Sequence, residues 1–346
     1  MVLASHGRHF LTPAWKTAEI FRLGGFLGVE LFFVLSGFLI GDIIWSAFKR
    51  SRTGYQWATR FMARRWLRTL PTYYLFLFIN ALLIGSTVST GRVTDLLPFI
   101  LFLQNLTRPH PEVFGEAWSL AVEEIFYLTL PLCLILASQF FAKKKPAFLS
   151  VIALFLLLPL IARFIAVDVF EPTWDAGIRK VVIFRLDALM VGVLASWLIH
   201  EKPPLDHTKI FWTSLLGLSL IAGAVAFFLL NEAALNLDPF ARIWLFPIVS
   251  VGCVLVVVSG LRWTNAPAII GRPIEICARW SYALYLAHMP VFGIILWFQG
   301  HAQPGASVGA LLRWASFVVG SLCVAALVER FIERPTLRWR DHVVPR

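Results

Sequence analysis

The sequence predicts an all-α fold: a polytopic membrane helical bundle of about nine spans, in which residues 1–346 form one integral membrane unit without a separate soluble domain. Three observations predict it. The chain is 58% hydrophobic and only 15% charged, with 14 Trp and 30 Phe, too apolar for an ordinary water-soluble domain. Segments near 24–47, 70–88, 117–140, 147–167, 180–199, 210–230, 240–260, 280–299 and 309–331 approach the ~20 helical residues needed to cross a ~30 Å hydrocarbon core. Finally, the basic residues cluster in alternate connections. Lys49, Arg50, Arg52, Arg60, Arg64, Arg65 and Arg68 share one. Lys143 to Lys145 occupy a second, Arg262, Arg272 and Arg279 a third, and Arg334, Arg338, Arg340 and Arg346 the tail.

Alternating crossings put these four clusters on one side, which the positive-inside rule makes the cytoplasm, with the C-terminus inside. The opposite loops carry Asp168, Glu171, Asp175, Glu232 and Asp238. The same rule accounts for the net charge of +11, and no recognition motif accompanies it, so nucleic-acid binding is not expected. Cys133, Cys253, Cys277 and Cys323 lie in or beside apolar segments without metal-ligand or disulfide-framework spacing and read as small apolar residues; no metal site is expected. The chain opens without the regions of a cleavable signal peptide. Val2-Leu3-Ala4 reads as the last turn of an apolar helix, so a further upstream span is expected, giving ten with both termini inside.

The first complete span, Gly24 to Gly41, carries small residues four apart at Gly24/Gly28 and Gly37/Gly41, which let helix backbones approach closely in lipid. Its Glu30 has no such packing explanation. The segment 55–72 is basic and amphipathic and is expected to end at Pro71; Phe61, Arg64, Arg65 and Arg68 share helical spacing. Anionic lipid headgroups or a phosphorylated ligand would suit these arginines. Leu96 to Leu103 is expected to be interfacial rather than spanning.

Trp118 to Leu128 leads into an apolar run while carrying Glu123 and Glu124, and intramembrane carboxylates are costly enough to imply function. Ser119, Glu123 and Tyr127 follow at four-residue spacing on one helix face, and Glu124 lies about 100° away. Arg185 and Asp187 in the next charged span could neutralise one another or a neighbouring carboxylate. Ser281, Tyr285 and His288 form a further stripe, and the last span is expected to stop at Pro335.

By depth, His6, Glu30, Glu123 and Arg185 fall toward the outer half, the arginine cluster at the inner face and His288 between. A histidine beside buried carboxylates suits general base catalysis, with a carboxylate fixing the imidazole tautomer. His9 rivals His6, and spacing does not choose between them.

Four motifs carry a resemblance: Gly28-Val29-Glu30-Leu31-Phe32-Phe33-Val34-Leu35-Ser36-Gly37-Phe38-Leu39-Ile40, Arg65-Trp66-Leu67-Arg68, Trp118 to Leu128, and Ser281-Tyr282-Ala283-Leu284-Tyr285-Leu286-Ala287-His288. In this order, over about residues 1 to 340, they resemble the membrane acyltransferase-3 family, O-acetyltransferases of bacterial surface polysaccharides, Nod factors and macrolides. The resemblance implies ten helices in a bacterial inner membrane and no permanently bound cofactor. It also implies acyl-CoA, specifically acetyl-CoA, as a cytoplasmic donor, and a carbohydrate or lipid-linked glycan hydroxyl as acceptor.

It would make His6 the catalytic base, with Glu123 or Glu30 orienting it, and give Arg65 and Arg68 the donor's phosphates. Tyr127, Ser119, Arg185 and His288 are further candidates. The family's arginine eleven residues before its histidine falls before Met1, in keeping with the expected upstream helix. The competing reading is a glycan or acyl-group transporter of the same fold, which would leave its cargo unmodified.

Overall fold

A computed structural model describes residues 1–51, 55–201, 206–261, 267–299 and 307–345. Arg52, Arg262 and Arg346 of the basic clusters lie outside these. The described residues form helices joined by turns, with no strand among them. The helices are α1 (Val2–Leu11), α2 (Arg22–Arg50), α3 (Gln56–Gly85), α4 (Ala117–Phe140), α5 (Lys144–Val169), α6 (Leu186–Glu201), α7 (His207–Leu230), α8 (Pro239–Ile243), α9 (Leu245–Gly260), α10 (Ala268–Gln299), α11 (Ser307–Val328) and α12 (Arg334–Val343).

Each of the nine expected spans falls on a helix, but seven helical stretches among the described residues are long and apolar enough to cross a membrane on their own. The other two, α6 and α9, have 16 residues each, about 24 Å at 1.5 Å per residue and shorter than the core of a bilayer. The segment before α6 is taken up by a wide helical turn at Trp174–Arg179 and a tight one at Val182–Phe184 rather than by a longer α-helix. This is a multi-pass membrane protein, and its many lipid-type side chains exposed along α5, α7 and α11 match that setting.

Three expected boundaries are corrected. Pro71 does not end the basic segment: α3 runs through it from Gln56 to Gly85, so the arginines and the following span share one helix. A proline removes one main-chain donor and crowds the carbonyl four residues back, which a 30-residue helix held by tertiary packing absorbs. Pro335 likewise does not stop the chain, because a wide turn at Glu329–Glu333 places it in the first turn of α12, where its missing N–H costs nothing. Arg272 and Arg279 lie on α10 rather than in a loop. At 32 residues α10 is about 48 Å long, so its first turns overhang the apolar core.

The small residues of α2 do set close packing. A Cβ on Gly37 would lie 1.9 Å from the Leu189 carbonyl oxygen, and one on Gly192 would lie 2.1 Å from that of Val34, so α2 and α6 touch backbone to backbone. Gly24 and Gly28 meet Met1 and Val2 at the start of α1. Ion pairs then tie helix ends. Glu201 sits between Lys49 and Lys145, 3.6 and 3.5 Å away, joining α2, α5 and α6, and Arg64 reaches Asp341 at 2.8 Å, joining α3 to α12. At the other end of α2, Arg22 pairs with Glu232.

The connection between α3 and α4 packs as a cap, with a tight helical turn at Val93–Leu101. Tyr73 and Tyr74 donate to the Phe99 and Ile100 carbonyls at 2.9 Å each, and the Asn105 amide donates to the carbonyls of Trp118 and Lys180 at 3.0 and 2.6 Å. In this cap burial pushes His110 down to about 4, although the Pro111 carbonyl partly opposes the shift. Burial alone would raise Asp175, but the adjacent Arg179 and Lys180 charges hold it below the usual carboxylate range.

Candidate active site

One face of α4 links two polar clusters. Ser119, Glu123 and Tyr127, one helical turn apart, are all buried. At the Tyr127 end, Ser36 of α2 donates to the Glu123 carboxylate at 2.5 Å and lies 2.5 Å from the Tyr127 hydroxyl, which itself donates to Glu123. The Arg65 guanidinium stands 5.0 Å from the centre of the Tyr127 ring and 5.9 Å from that of Phe61. Arg65 also lines a cavity of about 1020 Å³ with Arg50, Arg60, Arg64, Arg68 and Arg340. Among the described residues on its wall, Asp42 is acidic and lies 3.2 Å from His200. Such a concentration of guanidinium groups suits a multiply charged phosphate ligand.

At the Ser119 end the contacts run to two histidines. The Ser119 hydroxyl is 2.6 Å from the Tyr285 hydroxyl, which donates to the Glu116 carbonyl at 3.1 Å. One turn further along α10, His288 holds its Nδ1 2.6 Å from the Tyr285 carbonyl and its Nε2 2.9 Å from Nδ1 of His6 on α1. The two imidazoles lie 4.9 Å apart, centre to centre. A cavity of about 220 Å³ opens beside His288, lined by Val2, Gly28, Phe32, Leu120, Tyr285 and His288 among others. Arg179 lies near enough for its charge to act on His6 and Tyr285; its guanidinium is stacked on Trp118 at 4.9 Å.

His9 is outside this network, exposed and edge-on to Phe292 at 5.9 Å. Of the two histidines that spacing leaves open, His6 joins the network through His288 and His9 does not. Neither carboxylate offered for orienting His6 touches it. Glu123 is held by Ser36 and Tyr127. Both oxygens of Glu30 accept from the Arg185 guanidinium at 2.6 Å, with Ser250 at 3.3 Å and the Phe246 ring 4.1 Å from the cation. Arg185 and Asp187 do not neutralise one another: Asp187 pairs with Arg163 at 2.7 Å.

Ser36, Arg163 and Arg179 were missed. Arg163 could have been found, since a lone arginine near the end of an apolar run needs a buried partner. Ser36 stands in the Gly28 to Ile40 motif but gives no chemical signal of its own, because hydroxyls are common in membrane helices and cheap to bury there.

A family model described as an acyltransferase domain matches residues 1–330. A Staphylococcus aureus (strain MRSA252) protein, provisionally named an O-acetyltransferase, is 26% identical over 374 residues, covering 97% of this chain and 57% of the relative. Nodulation protein 10 of Rhizobium leguminosarum bv. viciae is 27% identical, covering 92% of this chain and 84% of the relative. Peptidoglycan O-acetyltransferase OatA of Listeria monocytogenes is 24% identical, covering 90% and 51%. The chain thus spans little more than half the length of the first and third of these. No solved structure matches it at a significant level. On the match over residues 1–330, the chain belongs to the acyltransferase-3 family.

Proposed function

We propose that the protein is a membrane O-acyltransferase that moves an acetyl group from acetyl-CoA to a hydroxyl of a carbohydrate or lipid-linked glycan acceptor. The observation that carries this reading is the polar face of α4, which joins the arginine-lined cavity to the histidine pair through an otherwise apolar bundle. Arg65 and Arg68, with Arg50 and Arg60 around them, hold the phosphates of the donor at the basic end, which the positive-inside rule makes cytoplasmic along with the C-terminus. The thioester arm extends along the Tyr127, Glu123 and Ser119 face toward the opposite end. The setting is a bacterial inner membrane, with the acceptor entering from outside; the name of the OatA relative supports a cell-envelope glycan.

In the transfer step His6 takes the proton of the acceptor hydroxyl as its oxygen attacks the thioester carbonyl carbon. The tetrahedral intermediate expels the thiolate, the C–S bond breaks, and the proton passes from His6 to sulfur. The products are the O-acetylated acceptor and free CoA, and the base is regenerated. Glu123 keeps Tyr127 and Ser36 fixed along the donor's path. Glu30, held by Arg185, secures α2 at the step before α6 and takes no part in proton transfer.

The test is release of free CoA by detergent-purified protein supplied with acetyl-CoA, with and without cell-envelope glycan, read alongside acetyl incorporation into the glycan. Glycan-stimulated release that His6→Ala abolishes and His9→Ala leaves largely intact is the expected result. Equal losses in both variants would overturn the role of His6, and movement of unmodified glycan without CoA release would overturn the transferase reading.

A further inference from the structure

The contacts around the two histidines determine where each proton sits. A backbone carbonyl can only accept, so the His288 Nδ1 that faces the Tyr285 carbonyl at 2.6 Å carries hydrogen. His288 is 1% exposed, and among the described residues no carboxylate bonds to it, so the ring is neutral and its Nε2 is a bare acceptor. That nitrogen is 2.9 Å from His6 Nδ1, which must then donate. The remaining nitrogen of His6, Nε2, is left with its lone pair. This order of protons is assigned from the network of partners.

We propose that His288 is a positioning residue for the transfer, accepting the Nδ1–H of His6 and so reserving Nε2 of His6 as the atom that takes the acceptor's proton. The proposal rests on the acyltransferase reading, and it gives to a neutral imidazole the task that a carboxylate performs in the familiar serine hydrolase arrangement. When His6 gains the second proton, the Nδ1–H bond to His288 becomes charge-assisted and stronger, so the contact favours the transition state over the ground state. The other charged or titratable groups acting on His6 are Arg8 and His9 from its own helix and Arg179 from the turn before α6.

The Tyr285 carbonyl fixes the His288 ring in turn. Because Tyr285 also bonds through its hydroxyl to Ser119 and the Glu116 carbonyl, the orientation of His6 is set from α4 through α10. Three helices that meet at this point thus hold a single nitrogen in place.

Two measurements test the assignment. Nitrogen-15 NMR of the full chain in detergent, labelled at histidine and assigned with His6→Asn, reads the tautomer directly. A protonated Nδ1 and a bare Nε2 on His6 are expected in the native protein. Kinetics then compare His288→Gln, whose amide oxygen can still accept the Nδ1–H, with His288→Phe, which fills the space without an acceptor. The Gln variant should keep kcat within about tenfold of the native value and the Phe variant should lose about a hundredfold, within the range that general base catalysis supplies. KM for acetyl-CoA should be unchanged in both, because the donor's phosphates bind at the far end of α4.

An Nε2–H tautomer in an active native chain would overturn the role of His288 alone. Equal losses in the Gln and Phe variants, or a loss that appears in KM, would do the same. Absence of glycan-dependent CoA release by the native chain would overturn the transferase reading and the proposal with it.

Discussion

Replacing Glu30 with glutamine separates the structural from the chemical use of an intramembrane carboxylate. Glu30 and Arg185 are buried, at 0% exposure each, and both carboxylate oxygens accept from one guanidinium nitrogen at 2.6 Å. Glutamine keeps one acceptor oxygen but turns an amide donor toward a cation that has only donors. The attraction of the Phe246 ring is present before and after the change and so compensates nothing. Stranding one member of a buried ion pair costs about 3–5 kcal/mol, and Glu30→Gln should fall near the lower end because one hydrogen bond survives. The paired change Glu30→Leu with Arg185→Met removes both charges and refills the volume, and should recover most of that loss.

Thermal unfolding in detergent gives the order: native and double variant close together, single variant well below. CoA release per folded molecule should be the same in all three. A Glu30→Gln protein that unfolds like the native chain yet has lost transfer would refute the reasoning and return Glu30 to the chemistry.

Three further outcomes are expected. Tyr127→Phe removes one of the two hydroxyl donors to Glu123 while keeping the ring under Arg65; removing one partner of a buried hydrogen bond costs about 1–3 kcal/mol, so stability should fall by that order, with a lower kcat in steady-state assays. Arg68→Ala should raise KM for acetyl-CoA with kcat unchanged, and added salt should narrow the gap between the native and variant KM values. His110 titrates near 6.5 when unfolded and at about 4 in the cap, so the unfolded chain binds the extra proton first. Stability should therefore decline as pH falls from about 6.5 to about 4 and level off below, and melting curves of His110→Leu should lack that part of the decline.

The parts of the fold that could be read from the sequence are those that hydropathy and helical spacing fix locally. Each of the nine apolar segments falls on a helix, and the four-residue spacing of Ser119, Glu123 and Tyr127 did place them on one buried face. Helix lengths were less legible. Hydropathy does not register the turns that shorten α6, and a proline's effect depends on whether tertiary packing carries the helix past it, as at Pro71, or a first turn accommodates it, as at Pro335.

Partner choice was not legible. His6 and His288 are 282 residues apart, and Glu30 could have met any of several cations. Arg185 wins because Gly37 and Gly192 bring α2 against α6 and so set its guanidinium beside Glu30. The expectation that a carboxylate would steer the catalytic histidine followed from general chemistry. The packing of α1 on α10 puts an imidazole, that of His288, beside His6, where no carboxylate touches it.

The polar face of α4 has one more consequence, for tolerance to length change. Ser119 and Tyr127 are eight residues apart, about 12 Å along the helix axis, and each end is fastened to a different neighbour, Tyr285 on α10 and Ser36 on α2. α4 therefore works as a gauge that sets how far the Tyr127 and Arg65 end stands from the Ser119 and Tyr285 end. One residue inserted between 119 and 127 would add about 1.5 Å but also turn one end by about 100°, unfastening it altogether. Substitutions along this stretch can be graded by the contact they weaken, whereas any change in its length disconnects the two halves of the site at once.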